Sequence, residues 1–410
     1  MTSSPLPPHG QTRDFWLTAA VSRFRYPVWF PLTVYAISRL VNVIFILIAA
    51  RHQLNVPDGA TYGWAASNWD GQWYRRIADH GYPTTIPRDP NGHATQNEWG
   101  FYPVYPFIVG AIMRMSGLGF TVVAPILSAL VGGAAVIVMF RLINQTAGRF
   151  AASATVLLTC TYMAAPAMQI AYTESLALLL ACTALLLLHN RRYGWLIPVL
   201  VALALTRAVA LAFVPVLIVH GISRYRRRLE EPFPERDRRR VVGLVCVGIA
   251  ATGLWPVIAA VATGDPTAYT ETMSSWGKRG QLAVLVEFPV FAWTAGGAVG
   301  LTVLLGLIAL LAFIVLRSRA RSWGPEVRAW AGCYPVYLLL ATAPGGSNVR
   351  HLLLAFPLMW PFPEEAVSTS DRHRRMVAVV ALATCGLATQ WVWISQFLMF
   401  TGRSAGRPFP

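Results

Sequence analysis

Asn68-Trp69-Asp70-Gly71-Gln72-Trp73-Tyr74, followed by Ile77-Ala78 and Gly81-Tyr82-Pro83, is a polar, aromatic passage in a chain otherwise dominated by apolar runs. It lies within Arg51–Gly119, the longest stretch without a membrane-spanning pattern. Long loops are usually functional or disordered. Six Trp and Tyr residues from Tyr62 to Tyr82 argue against disorder. The passage therefore reads as an ordered aromatic loop held between membrane helices, and that reading decides the fold.

Outward from the loop, the first apolar run is about Leu32–Ala50. Later runs are Phe120–Leu142, Phe150–Ala165, Ser175–Leu188, Trp195–His220, Val241–Thr263, Phe288–Leu316, Ala329–Ala341, Leu352–Phe362 and Met376–Phe400. Composition agrees: of 410 residues, 55% are hydrophobic and only 13% charged, with a mean hydropathy of +0.49. A soluble domain carries roughly 25% charged residues, so this chain lacks the polar surface to coat a water-soluble globule. Cytosolic enzymes, secreted disulfide scaffolds and disordered proteins are excluded. Met1–Gln11 is Pro-rich and has no short apolar stretch with a cleavage site, so the first run is expected to remain as a membrane helix.

The net charge is +16, from 34 basic and 18 acidic residues, and Lys278 is the one lysine. The arginines sit in clusters between apolar runs, which reads as topology and headgroup contact and argues against nucleic acid. Arg141/Arg149, Arg191/Arg192, Arg224–Arg240, Arg317–Arg328 and Arg372–Arg375, like Arg13, Arg23 and Arg25 before the first run, are expected on the cytoplasmic side. Phe101–Gly117 then cannot cross, because crossing would put Arg141 and Arg149 outside; it reads as a helix on the outer membrane surface. Trp195–His220 must begin and end inside, as a short hairpin with Thr206 and Arg207 near its apex. The expected fold is an all-α polytopic membrane protein with about eleven crossings. Residues 1–27 form a cytoplasmic segment, 28–400 one transmembrane domain with 51–119 as its first extracytoplasmic loop, and 401–410 a tail. The five cysteines all lie in apolar runs without metal-ligand spacing.

The polar residues of chemical interest fall on the outer side. Asp70 stands between Trp69 and Trp73, where partial desolvation makes a carboxylate a better base than in water. It could equally cap the helix that follows. Glu98 precedes Phe101-Tyr102-Pro103, and Glu174 opens a helix at the membrane boundary. Arg207 at the hairpin apex, Lys278 after Trp276, and Arg350-His351 after the Gly345-Gly346-Ser347-Asn348 turn are outward cations. Guanidinium groups match phosphate bidentately. Outward acids beside arginines at headgroup depth suit transfer from a lipid-linked phosphate donor, with a base activating a hydroxyl and cations stabilising the leaving phosphate.

Trp69-Asp70-Gly71-Gln72-Trp73-Tyr74…Ile77-Ala78…Gly81-Tyr82, then Phe101-Tyr102-Pro103-Val104-Tyr105-Pro106, resembles the first-loop motif of the PIG-V-like glycosyltransferases, whose eukaryotic members add the second mannose of the GPI anchor. Pro166-Ala167…Tyr172-Thr173-Glu174-Ser175-Leu176, Leu205-Thr206-Arg207 and Arg350–Leu358 follow in family order, covering about residues 35–360. The resemblance implies a GT-C fold and inverting transfer of a sugar, mannose above all, from a polyprenyl-phosphate donor. It makes Asp70 the general base and Glu174 a second acid, and requires no metal or other cofactor. Trp69, Trp73, Tyr74, Glu98, Tyr102, Arg207, Lys278, Arg350 and His351 are the expected substrate contacts. Arg75-Arg76 depart from the large or aliphatic residue usual there. The abundant Arg and Ala suggest a bacterial genome, so the expected acceptor is a cell-envelope glycolipid, glycan or protein.

Two other readings compete. A lipid or glycolipid transporter would place acids and helix breaks at the bilayer midplane with repeat symmetry, whereas here the acids cluster on one face and no fixed-period repeat is seen. A non-catalytic scaffold would use the loop only for binding. An enzyme needs Asp70 facing a cavity; a scaffold does not.

Overall fold

A computed structural model describes residues 9–52, 61–276, 284–362 and 369–399. The described chain is helical, without a strand. A long helix α1 (His9–Ala50) leads into the first loop, which carries α2 (Tyr62–Ala65), α3 (Asp70–His80) and α4 (Val104–Ser116). The bundle continues with α5 (Phe120–Ala147), α6 (Arg149–Thr161), α7 (Glu174–His189), α8 (Tyr193–Ala204), α9 (Ala210–Arg226) and α10 (Glu235–Thr263). Then come α11 (Ala268–Ser275), α12 (Val284–Leu316), α13 (Gly324–Ala341), α14 (Ser347–His351) and α15 (Thr369–Trp393). Among the described residues, five helical stretches are long and apolar enough to cross a membrane: Tyr26–Ala50, Phe120–Ala147, Glu235–Thr263, Val286–Leu316 and Ser370–Leu398. With the shorter apolar helices, they make this a multi-pass membrane protein.

Lipid tails are as apolar as leucine, so membrane helices associate through close packing of small residues. The centre of this bundle follows that rule: Ala135, Ala151, Ala154, Ala177, Ala181 and Ala184 are all buried. At Gly132 on α5 a Cβ would overlap the Tyr35 hydroxyl of α1. The outermost helix, α12, is exposed along its span and kinked at Gly297, where φ is 55°.

Two segments position the site by not being regular helices. The run expected over Phe150–Ala165 stops at Thr161, and residues 164–173 pass through the protein buried, as a 3-10 turn (Ala165–Met168) and irregular backbone outside any α-helix. Non-helical backbone at membrane depth survives only where protein satisfies its polar groups. Here α1 and α15 supply the donors. Arg39 donates to the carbonyls of Cys160 (3.1 Å) and Ala165, and Tyr35 to Met168 (3.0 Å). Gln390 donates to Cys160 and Tyr162, both at 3.0 Å. The run expected to cross over Leu352–Phe362 likewise takes another form: α14 is five residues long and continues as an eight-residue 3-10 segment, Leu352–Met359, which breaks at Ala355 and contains Pro357. It still leads away from the site, ending with Trp360 against Phe150 at the start of α6 (ring centroids 5.8 Å).

The hairpin expected within Trp195–His220 is the α8–α9 pair, broken over residues 205–209. At the far end of the bundle, His220 links Tyr193 (2.9 Å) to Glu326 (2.6 Å), tying α8, α9 and α13 together. Phe101–Gly117 contains α4, which leaves Phe107, Ile108 and Met115 exposed, as a membrane-surface helix would.

Candidate active site

Helix α3 buries Tyr74, Ile77 and Ala78. This spacing puts Asp70 and Tyr74 one turn apart on the same side of the helix. Asp70 is the first helical residue, and the one before it, Trp69, holds φ 57° and ψ −115°. A bulky L-residue in that region costs about 1–3 kcal/mol and persists only where its surroundings enforce it. No side-chain cap closes α3 at Trp69. The Asp70 carboxylate goes instead to Arg350: Nη2 donates to Oδ2 at 2.5 Å. Among the described residues no donor reaches the other oxygen, Oδ1.

Glu174 opens α7 and is completely buried. Its Oε1 accepts from Arg207 Nη1 at 2.6 Å and from Arg350 Nη1 at 3.0 Å. Arg207, from the α8–α9 break, also donates to Thr173 Oγ1 (3.2 Å). Arg350, from α14, lies over the Tyr172 ring, 4.7 Å from its centroid. Two acids and two guanidiniums thus form one network, with partners 33, 176 and 280 residues apart. The group is formally neutral. That matters because a charge left unpaired in such a site costs several kcal/mol.

Asp70, Arg207 and Arg350 border a cavity of about 340 Å³. Asp70, Tyr74, Tyr102, Arg207, Arg350 and His351, all expected from sequence, lie in its wall. Tyr269, Trp276, Tyr334 and Tyr337 add aromatic side chains to the lining. Burial raises the Tyr74 phenol above its ordinary value, and the nearby Asp70 charge adds to this. Tyr102 is raised by burial and by its neighbour Tyr269, whose hydroxyl lies 3.0 Å away. Both phenols therefore remain protonated, as neutral hydrogen-bonding groups, at ordinary pH.

The other expected contacts lie elsewhere. Glu174 sits behind the wall, bonded to both arginines. Trp73 stacks on Phe101 (5.7 Å) and meets Trp276 edge-on (5.4 Å), so it supports the wall without lining it. Trp69 turns away from the cavity and donates to the Leu398 carbonyl (3.0 Å). Glu98 also falls outside the wall: its 3-10 turn inserts Trp99 against Trp255 (5.2 Å) and presents Gly100 to the cavity beside Trp276. Lys278 lies outside the described residues. Arg207 and Arg350, outward cations in sequence, receive their acids from distant segments. Tyr172 and Thr173 stand in the sequence motif around Glu174 without a role of their own, and nothing in the sequence reading singled out Tyr269 or the Tyr334–Tyr337 pair. The last could have been noticed as two phenols three residues apart in an apolar helix, a spacing that puts both on one side.

No protein-family model matches the chain, and no curated protein matches it. Solved structures do. Over 88% of its length the chain is similar to ArnT from Cupriavidus metallidurans bound to undecaprenyl phosphate (TM-score 0.51, 16% identity), spanning 69% of that chain. Over 90% it is similar to the archaeal oligosaccharyltransferase AglB from Archaeoglobus fulgidus in complex with an inhibitory peptide and a dolichol-phosphate (TM-score 0.51, 12% identity). Over 92% it is similar to the Archaeoglobus fulgidus oligosaccharyltransferase tethered with an acceptor peptide (TM-score 0.53, 12% identity). The chain spans 56% of each of these two. At such identities the likeness is one of fold, and the fold is that of the GT-C membrane glycosyltransferases.

Proposed function

We propose that this chain is a membrane glycosyltransferase that moves a sugar, mannose in our reading, from a polyprenyl-phosphate donor to a hydroxyl of an extracytoplasmic cell-envelope acceptor. The observation that carries the reading is Asp70: a carboxylate in a cavity wall, with one oxygen fixed by Arg350 and no donor among the described residues on the other. The scaffold alternative has no use for that arrangement. The undecaprenyl phosphate and dolichol-phosphate in the similar structures lend support to a polyprenyl-phosphate donor. The first-loop resemblance supports mannose.

In this mechanism Oδ1 of Asp70 accepts the proton of the acceptor hydroxyl as its oxygen bonds to the anomeric carbon. The bond from that carbon to the phosphate oxygen breaks, and the polyprenyl phosphate leaves with the electron pair. A single displacement inverts the anomeric centre. Arg207 and Arg350 stabilise charge growing on the leaving phosphate, while Glu174 keeps both guanidiniums in place. The lipid-linked sugar is a substrate, and we assign no cofactor. The N-terminus lies in the cytoplasm and the site on the outer side.

The test is an in vitro assay of purified protein with a panel of polyprenyl-phosphate sugars and a membrane acceptor extract. Transfer from the mannose donor is expected. Transfer from a different sugar donor would replace mannose and keep the class. No transfer from any donor, by protein that unfolds cooperatively on heating, would overturn the reading.

A further inference from the structure

In sequence α15 is one more apolar run, yet in the fold it touches both segments that carry the site acids. At Gly386 a Cβ would overlap the carbonyl oxygen of Thr161, so α15 docks backbone to backbone on the end of α6. One turn later the fully buried Gln390 bonds the carbonyls of Cys160 and Tyr162, where the non-helical passage toward Glu174 begins. At its C-terminal end the helix widens into a π-turn, Ile394–Leu398, closed by the amide of Met399 on the Ile394 carbonyl (3.3 Å). The last carbonyls of a helix lack intrahelical partners. That of Leu398 accepts from Asn68 Nδ2 and Trp69 Nε1, each at 3.0 Å.

Asn68 and Trp69 immediately precede Asp70, and Trp69 carries the left-handed φ of 57°. We propose that Asn68 and Trp69 are positioning residues, which clamp the end of α15 and so hold the strained turn that aims Asp70 into the cavity. Asn68 is 3% exposed and Leu398 is fully buried, so water cannot readily replace either bond. Released from the clamp, φ of Trp69 would relax toward ordinary negative values, a rotation of roughly 120°. The Asp70 side chain would turn with it. This proposal rests on the reading of Asp70 as general base.

The test compares Asn68→Ala and Trp69→Phe, alone and combined with Asp70→Asn, using radiolabelled polyprenyl-phosphate mannose and membrane acceptor extract. Trp69→Phe keeps one aromatic ring while removing the five-membered ring that carries the N–H, so it reports on the bond to Leu398 even if Asn68→Ala folds poorly. Misplacing a catalytic group by about 1 Å costs on the order of 10²-fold, so each single variant should lose about 10–100-fold in kcat with both KM values within about twofold. In the Asp70→Asn background the same substitutions should lower the residual rate no further, because a residue acting through Asp70 has nothing left to position. Unchanged kcat in both singles, or a full additional loss in the Asp70→Asn background, would overturn the proposal. The Asp70→Asn parent separately judges the base reading: if it turns over normally, that reading fails whatever the clamp variants do.

Discussion

Replacing Asp70 with Asn takes one charge from a group of four that balance. Arg207 and Arg350 contribute two positive charges and Asp70 and Glu174 two negative. After Asp70→Asn two guanidiniums share the single carboxylate of Glu174, whose side chain is fully buried. Removing one partner of a buried ion pair costs about 3–5 kcal/mol. Arg350 keeps its bond to Glu174 and the Asn oxygen can still accept, so the lower end, about 3 kcal/mol, is expected. A helix-capping role alone would cost about 1 kcal/mol. Arg350→Gln strands the opposite charge and should destabilise similarly. The double variant Asp70→Asn/Arg350→Gln leaves the Glu174–Arg207 pair and restores neutrality. Its stability should exceed the sum of the single effects by about 2–3 kcal/mol, near the top of the range for residues in one network. Turnover should behave differently. Both variants that contain Asn at 70 lack the base, so each should lose about 10²–10⁴-fold, and the double recovers stability without recovering activity. Thermal unfolding and transfer, measured on the same purified preparations, separate the two effects. Near-normal turnover of Asp70→Asn would refute the base assignment, and strictly additive stabilities would refute the charge balance.

Three further outcomes are expected. In a background without the native cysteines, a cysteine at position 98 should label from outside intact cells and one at 230 only after permeabilisation; labelling of 98 from inside alone would invert the topology. Arg207→Gln should raise the donor KM by about tenfold or more and leave the acceptor KM nearly unchanged, since a charge-assisted hydrogen bond contributes about 1.5–3 kcal/mol; an unchanged donor KM would remove the phosphate role. Gly386→Ala should push α15 off the Thr161 carbonyl, lowering stability by about 1–3 kcal/mol and turnover with it; a variant with wild-type melting and turnover would show that α15 docks in another way.

The spans and the α8–α9 hairpin were legible because membrane insertion writes them in side-chain types: apolar length for the spans and arginine placement for the sidedness argument that forced a turn at Arg207. Asp70 was legible for a related reason, as a polar residue in an aromatic frame. What escaped the sequence was written in backbone. The break after Thr161, the 3-10 course of Leu352–Met359 and the Leu398 carbonyl that receives Asn68 and Trp69 involve carbonyl acceptors that every residue possesses, so no residue type marks them. The same limit explains Arg39 and Arg207. Both are arginines inside apolar runs, and both look alike as intramembrane cations. Arg39 meets the carbonyls of a broken helix, whereas Arg207 meets the carboxylate of Glu174 beside a cavity. The two roles depend on each other, because the broken backbone that Arg39 and Gln390 satisfy is the passage that delivers Glu174 to Arg207 and Arg350. A polar residue in an apolar run therefore identifies where the membrane fold departs from regular helix. Whether it serves the chemistry or the departure is decided by the atom opposite it.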